Sequence, residues 1–433
     1  MIWIWIVAAV LISWRLCRKK AAWYHYIWML LPIDMYGVSF AGATIKPYMI
    51  FGAFIVFYNI KYGKSRNVPI GIIAFVLALI ISDILTGFIL ASVKIHILMV
   101  IVVAIAYSYC LMCGSDSLQF DGMSEVMSAT TLGYGIIFSL AYLVYRFNPS
   151  FGQVYTLNRY SSGIFLGFIT ANRDVVVRLR GFSIDPNIVI TTLTPGAAVA
   201  FGRLSESKNG RALNAVTIIA FSLVTYLSGS RTATICAILL LMAMVFVLYK
   251  QSKHKKRFFI VCVLFIGASI VWAGFHFNEL RSAIVSYFTV RARLNDEAGR
   301  ITIWKNNLEW LWDNNKLLTG VGQKQISYLN GSGKEFHNTW LEWIGGTGLF
   351  IGIGIDLWFL LAPIAMKNKM KHHQIEKKQY VQLMVAYMVI IICVTTVNEI
   401  ANSAMIILMI LFRYGKVASV NVRKLPGLDG FQY

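Results

Sequence analysis

Apolar runs of about 20 residues recur along this 433-residue chain, each long enough to cross roughly 30 Å of hydrocarbon as a helix. Such runs leave few choices. In lipid, every backbone polar group must find its partner inside the protein, so the pattern predicts an all-α polytopic membrane protein. With 58% hydrophobic and 14% charged residues, the chain is too apolar for a soluble domain. No fixed-period repeat breaks it up, and one integral membrane domain over 1–433 is expected.

We read thirteen spans, at 1–14, 22–40, 47–60, 69–90, 93–113, 126–145, 188–202, 212–228, 232–249, 258–275, 339–365, 380–398 and 401–413, hence about 12–13 transmembrane helices. Arg15, Arg18, Lys19 and Lys20 follow the first apolar stretch instead of preceding it, the reverse of a signal peptide, so that stretch is kept as a span. The net charge of +21 could suit nucleic acid. However, the cations fall in short runs between spans, such as Lys61, Lys64 and Arg66, or Lys250 to Arg257. That is positive-inside patterning, and no nucleic-acid partner is expected. Placing 15–20 in the cytoplasm puts every strongly basic short loop on that side. It leaves two large extracytoplasmic segments, 146–187 and 276–338.

Those segments favour arginine. The first carries Arg146, Arg159, Arg173, Arg178 and Arg180 with no lysine; the second carries Arg281, Arg291, Arg293 and Arg300 beside four lysines. Arg231 sits in the short turn Ser228-Gly229-Ser230-Arg231-Thr232. A guanidinium grips phosphate oxygens bidentately and keeps its charge when partly dehydrated. The alternative is that these arginines pair with Asp174, Asp185, Asp296 and Glu297 or with lipid headgroups. Arg231 has no acid nearby in sequence and reads as functional.

Arg300, Ile303, Trp304, Leu308 and Leu311 fall on one helical face, predicting an amphipathic helix on the membrane surface. Gly320-Val321-Gly322 is a tight turn and a weak phosphate signal. His337 follows the flexible Asn330-Gly331-Ser332-Gly333 and precedes an apolar span. It reads as an interfacial residue or as a base for a hydroxyl proton. No metal or other cofactor is expected, because no second His or carboxylate sits at ligand spacing and His372-His373 falls on the cytoplasmic side. Cys110-x-x-Cys113 lies in an apolar span and reads as small helix residues. Neither a Gly-x-Ser-x-Gly nor a Walker pattern occurs.

Four pieces resemble the O-antigen ligase and O-antigen polymerase (Wzy-type) superfamily. They are Arg180-Gly181-Phe182-Ser183 with Asp185-Pro186-Asn187; Gly229-Ser230-Arg231-Thr232; Gly299-Arg300 with Trp304 and Gly320-Val321-Gly322; and His337-Asn338-x-x-Leu341-Glu342 with Gly348-Leu349. They occur in family order across 178–350 and mark a core at about 178–365. In one respect the chain departs: Thr191 and Leu311 occupy the glycine positions of an Arg-x10-Gly pattern counted from Arg180 or Arg300.

The resemblance implies a GT-C-like, metal-independent glycosyltransferase in the bacterial inner membrane, with its site facing the periplasm or cell exterior. Its donor would be an undecaprenyl-pyrophosphate-linked oligosaccharide. Arg231 and Arg300 would act in catalysis with His337, which would meet the acceptor hydroxyl. Arg180, Arg178, Asn187 and Asn338 would bind substrate. Membrane lipids and a chain-length regulator are the other partners implied. A polymerase of O-antigen or capsular repeat units is the first reading; a ligase to a lipid A core is the alternative. A transporter for the same lipid-linked substrate ranks third, on the strength of Asp34, Asp83, Lys94, Asp356 and Glu399 in or near spans.

Overall fold

The computed structural model describes residues 2–17, 21–40, 43–62, 68–113, 117–151, 163–164, 167–171, 177–204, 210–251, 299–364, 377–395 and 403–417, with scattered positions from 254 to 282 and at 367. The chain is a helical, polytopic membrane protein. Among the described residues, three helices are long and apolar enough to cross a membrane: Leu90–Cys113, Phe120–Phe147 and Arg211–Ser228. Four shorter apolar helices accompany them, at Ile2–Leu16, Ile70–Leu85, Leu349–Ile364 and Gln382–Val394. The expected span at 258–275 is described only at scattered positions, which are helical.

In chain order the helices used below are α1 (Ile2–Leu16), α2 (Ile27–Leu30), α3 (Pro47–Tyr62), α4 (Ile70–Leu85), α5 (Leu90–Cys113), α6 (Ser117–Phe147), α7 (Pro186–Arg203), α8 (Arg211–Ser228) and α9 (Arg231–Gln251). They continue as α10 (Arg300–Asp313), α11 (Ile326–Leu329), α12 (Thr339–Thr347), α13 (Leu349–Leu360), α14 (Lys377–Val394) and α15 (Ser403–Val417).

α7 is the axis of the bundle. Every residue from Pro186 to Gly202 is buried, and α6, α8 and α14 wrap it with help from α9 and α15. Shielding of this kind explains how the helix tolerates threonines. Thr191 and Thr194 return their hydroxyls to the carbonyls of Asn187 (2.9 Å) and Ile190 (2.8 Å). Pro195 lacks the amide that would bond the Thr191 carbonyl, and Thr131 of α6 ties the same stretch to its neighbour by donating to the Leu193 carbonyl at 2.8 Å. At Gly196 the two helices touch: a Cβ there would stand 2.1 Å from the Met127 carbonyl oxygen.

The segment 22–40 departs from expectation. It holds one 3-10 turn at Trp23–Tyr26, the four residues of α2, and then extended chain into strand β1 (Val38–Phe40). Pro32 stops the helix. The segment still runs along most of α6. At one end Gly122 lies against His25, and at the other Phe138 stacks on Phe182, whose carbonyl takes the Asp34 amide at 3.2 Å. Sixteen residues of α6 separate these points, about 24 Å at helical rise. Irregular backbone at such depth must be satisfied by protein. The Tyr134 hydroxyl accordingly donates to the Met29 carbonyl (2.6 Å), and the Met35 amide to Phe182 (2.8 Å).

Small strands decorate the bundle. β1 pairs antiparallel with β2 (Ala43–Ile45), while β3 (Gly163–Ile164), β4 (Ile169–Ala171) and β5 (Val177–Leu179) form a three-stranded sheet with Thr170 opposite Arg178. Short and flanked by apolar spans, they gave no alternation to read. The expected span 339–365 is also broken. Gly348, at φ 90°, separates α12 from α13, so the nine-residue α12 lies outside the apolar span Leu349–Ile364.

The α6–α7 contact generates a first test. Gly196→Ala forces the helices apart and should cost about 1–3 kcal/mol, read as a lower Tm in detergent. Gly354→Ala, where a Cβ meets nothing within 4 Å, should leave Tm unchanged or slightly raised. Equal Tm values for the two variants would contradict the packing.

Candidate functional site

The amino terminus of α7 gathers three loops. Asp185 caps the helix by accepting the Asn187 amide at 2.7 Å, and Pro186, which has no amide to satisfy, takes the first helical position. Asn187 turns its side-chain oxygen to the Ser230 hydroxyl in the α8–α9 turn. Gly229 permits that turn by adopting φ 55°, and the Ser228 carbonyl accepts from Arg178 Nε at 3.0 Å. The stretch 178–187 is therefore tied to the turn that begins α9. Arg231 is the first residue of α9; the contacts of its guanidinium lie outside the described residues, as do Arg159, Arg173, Arg291 and Arg293.

Arg180 is enclosed. Its side chain has no exposed surface, Nε donates to the Gly167 carbonyl at 2.6 Å, and Tyr36 packs against the same glycine. Burial lowers its pKa from the usual 12.5, while Tyr36 and Asp185 act in the opposite sense. The guanidinium thus supplies positive charge from within the protein wall. It is flanked by a phenol and a carboxylate.

His337 reaches the same place from the other long segment. Its electrostatic neighbours are Glu335, Arg300, Asp185 and Lys324, so Asp185 joins the α7 terminus to the histidine loop. The His337 side chain is exposed, yet enough protein stands around it for dehydration to hold its pKa below 6.5. Glu335 and Asp185 resist that shift; Arg300 and Lys324 reinforce it. His337 lies at φ 49° and Lys324 at φ 60°, a left-handed conformation that side chains rarely adopt and that strongly constrained loops can impose.

The constraint is visible at Phe336. Its ring is fully buried against Gly345, where a Cβ would stand 2.5 Å from the ring, and its carbonyl accepts from Trp304 Nε1 at 2.7 Å. Around it Leu311, Val321 and Ile326 form a small separate core, with Trp304, Leu308 and Leu341 packed on it. This corrects the surface-helix expectation: the apolar face of α10 covers its own loop, leaving Ile301 and Trp312 exposed. Gly320-Val321-Gly322 is committed as well. The Val321 and Gly322 amides donate to the Gly345 and Gly346 carbonyls at 3.0 and 2.9 Å, so they close the end of α12 and are not offered to a phosphate.

Of the residues singled out in the sequence, Arg178, Arg180 and Asn187 meet at the α7 terminus, and His337 lies within electrostatic reach of both Arg300 and Asp185. Asn338 caps α12, accepting the Trp340 and Leu341 amides at 3.0 and 3.2 Å. Lys324, Glu335 and Trp304's hydrogen bond had no legible signal, since their roles depend on loop closure. Two of the acids that favoured transport are occupied: Asp34 pairs with Lys46 at 2.7 Å and Asp83 with His96 at 2.8 Å. Asp356 is buried on α13, whereas Glu399 lies outside the described residues. Among the described residues, no group of three or more His, Cys, Asp or Glu could hold a metal.

A neutral histidine at pH 7 is the resulting expectation. In protein carrying labelled histidine, the resonance lost in His337→Gln should titrate below 6.5 in the wild type; a midpoint above 6.5 would contradict the burial and charge balance described.

Residues 216–355 match the family model described as O-antigen ligase. No curated protein matches the chain. The matched region holds Arg231, Arg300, His337 and Asn338, whereas Arg178, Arg180 and Asn187 precede it and reach the site through the α7 terminus. Over residues 216–355, less than half of its length, the chain is similar to the O-antigen ligase family.

Proposed function

We propose that the protein is a bacterial inner-membrane glycosyltransferase that polymerises undecaprenyl-pyrophosphate-linked oligosaccharide repeat units, O-antigen or capsular, on the outer face of the membrane. One observation carries the reading: His337 stands within electrostatic reach of Arg300, Lys324 and Asp185, the cap of α7, where Arg178 and Arg180 are also held. The acceptor hydroxyl oxygen attacks the anomeric carbon of the donor sugar, and the bond from that carbon to the pyrophosphate oxygen breaks. His337 takes the hydroxyl proton, and undecaprenyl pyrophosphate leaves with the bonding electrons.

Negative charge grows on the leaving oxygen. Arg300, Arg231 and Lys324 are the exposed or turn-borne cations that would meet it, with the charge of Arg180 added from the wall. Pyrophosphate is a competent leaving group, so holding two glycans in line matters as much as proton transfer. Asp185 and Glu335 offset the cations at His337 and keep its ring basic enough to accept a proton. No metal or cofactor enters this reading, and a chain-length regulator is the further partner it implies in the cell.

The description of the matched family favours a second reading, ligation of the glycan to a lipid A core. Purified protein in vesicles, given a lipid-linked repeat unit alone, separates the two. Chains should grow without lipid A core; product formed only when core is supplied would identify a ligase. His337→Ala and Arg231→Ala should each lower the rate by about a hundredfold or more while the protein stays folded. Arg231→Lys should fail as well if bidentate contact is needed. Near-normal transfer by both alanine variants would sink the assignment.

A further inference from the structure

Beneath the His337 loop lies a carboxyl group that the transfer chemistry leaves unused. Glu342, on the first turn of α12, is 1% exposed. Its Oε1 accepts the Lys324 amide at 2.6 Å, and the Phe336 amide also bonds this side chain. The first of those amides belongs to a left-handed residue, Lys324, and the second to Phe336, the residue before the left-handed His337. Among the described residues, Glu342 Oε2 has no protein partner, and neither do Oε1 and Nε2 of Gln323, whose carboxamide packs on Gly346 one turn along the same helix.

We propose that Glu342 is the positioning residue of the transfer site: in its neutral acid form, its carbonyl oxygen clamps the Lys324 and Phe336 amides and so fixes Lys324 and His337 together. This rests on the reading of His337 and Lys324 given above. Oε1 holds the Lys324 amide, which leaves the partnerless Oε2 to carry the proton. Burial pushes the Glu342 pKa up to about 8, Glu335 adds to the shift, and the two amides and the Lys324 charge oppose it. On the far side of Gln323, whose amide donates to the Ser92 hydroxyl at 3.0 Å, His96 lies one helical turn further along α5 and pairs with Asp83 of α4.

Ionisation works against the clamp's surroundings. Because the folded pKa of about 8 exceeds the ordinary 4.5, the neutral acid is favoured by folding, and stability declines as pH rises between those values. An alanine opens the clamp and a glutamine keeps its carbonyl, so the pair separates positioning from simple bulk.

The test uses full-length protein in detergent or nanodiscs and has two readouts. In hydrogen exchange, Glu342→Ala should speed the Lys324 and Phe336 amides by about tenfold or more, with α5 and α7 unaffected, and Glu342→Gln should keep them protected. In transfer kinetics, Glu342→Ala should lower kcat by about tenfold with little change in KM. Glu342→Gln should rescue most of that loss and remove any decline in rate centred near pH 8. Unchanged exchange in Glu342→Ala, or Glu342→Gln matching the alanine variant in both readouts, would overturn the proposal. If the wild type transfers no glycan at all, the functional reading fails, while exchange still decides whether Glu342 holds the loop.

Discussion

The capped amino terminus of α7 is the constraint on which the rest of the site depends. α7 is buried almost end to end, so its first turn cannot move without moving the bundle. Asp185 and Asn187 project from that fixed point. Asp185 caps the helix and faces both Arg180 and His337; Asn187 fastens the turn before Arg231. Three loops separated by long apolar stretches are thereby given one common origin. A site built on loops gains the rigidity of a helix without containing one.

The second long segment contributes precision of another kind. Its loop carries its own small core around Phe336, and that core is independent of the main bundle. Burying one phenylalanine contributes roughly 1.5–3 kcal/mol, and the Trp304 hydrogen bond about 1 more. Terms of this size are comparable with the strain of holding two side-chain-bearing residues at positive φ, about 1–3 kcal/mol each. The His337 conformation is therefore imposed by its neighbours. It is not a preference of the local sequence.

Much of this was legible in the chain. The apolar periods gave the helical class, and the turn around Gly229 and the start of α10 at Arg300 fall where residue types indicated. Hydropathy could not reveal that 22–40 runs partly extended, because Pro32 sits inside a run that is apolar on every side. Likewise, the amphipathic face of α10 was visible while its partner was not: a membrane surface and a small private core demand the same stripe. Enclosure of Arg180 and the left-handed turns at Lys324 and His337 arise from loop closure. No local pattern encodes them.

The two segments form one site only if a single donor touches both. The most direct measurement is photo-crosslinking with a lipid-linked pyrophosphate donor bearing a reactive group next to the phosphates, followed by mapping of the labelled peptides. Adducts should appear both in 178–187 and in 324–338, and labelling of the two should fall together when excess unmodified donor competes. Labelling confined to one stretch, or found only elsewhere on the chain, would contradict a shared transfer site at the α7 terminus.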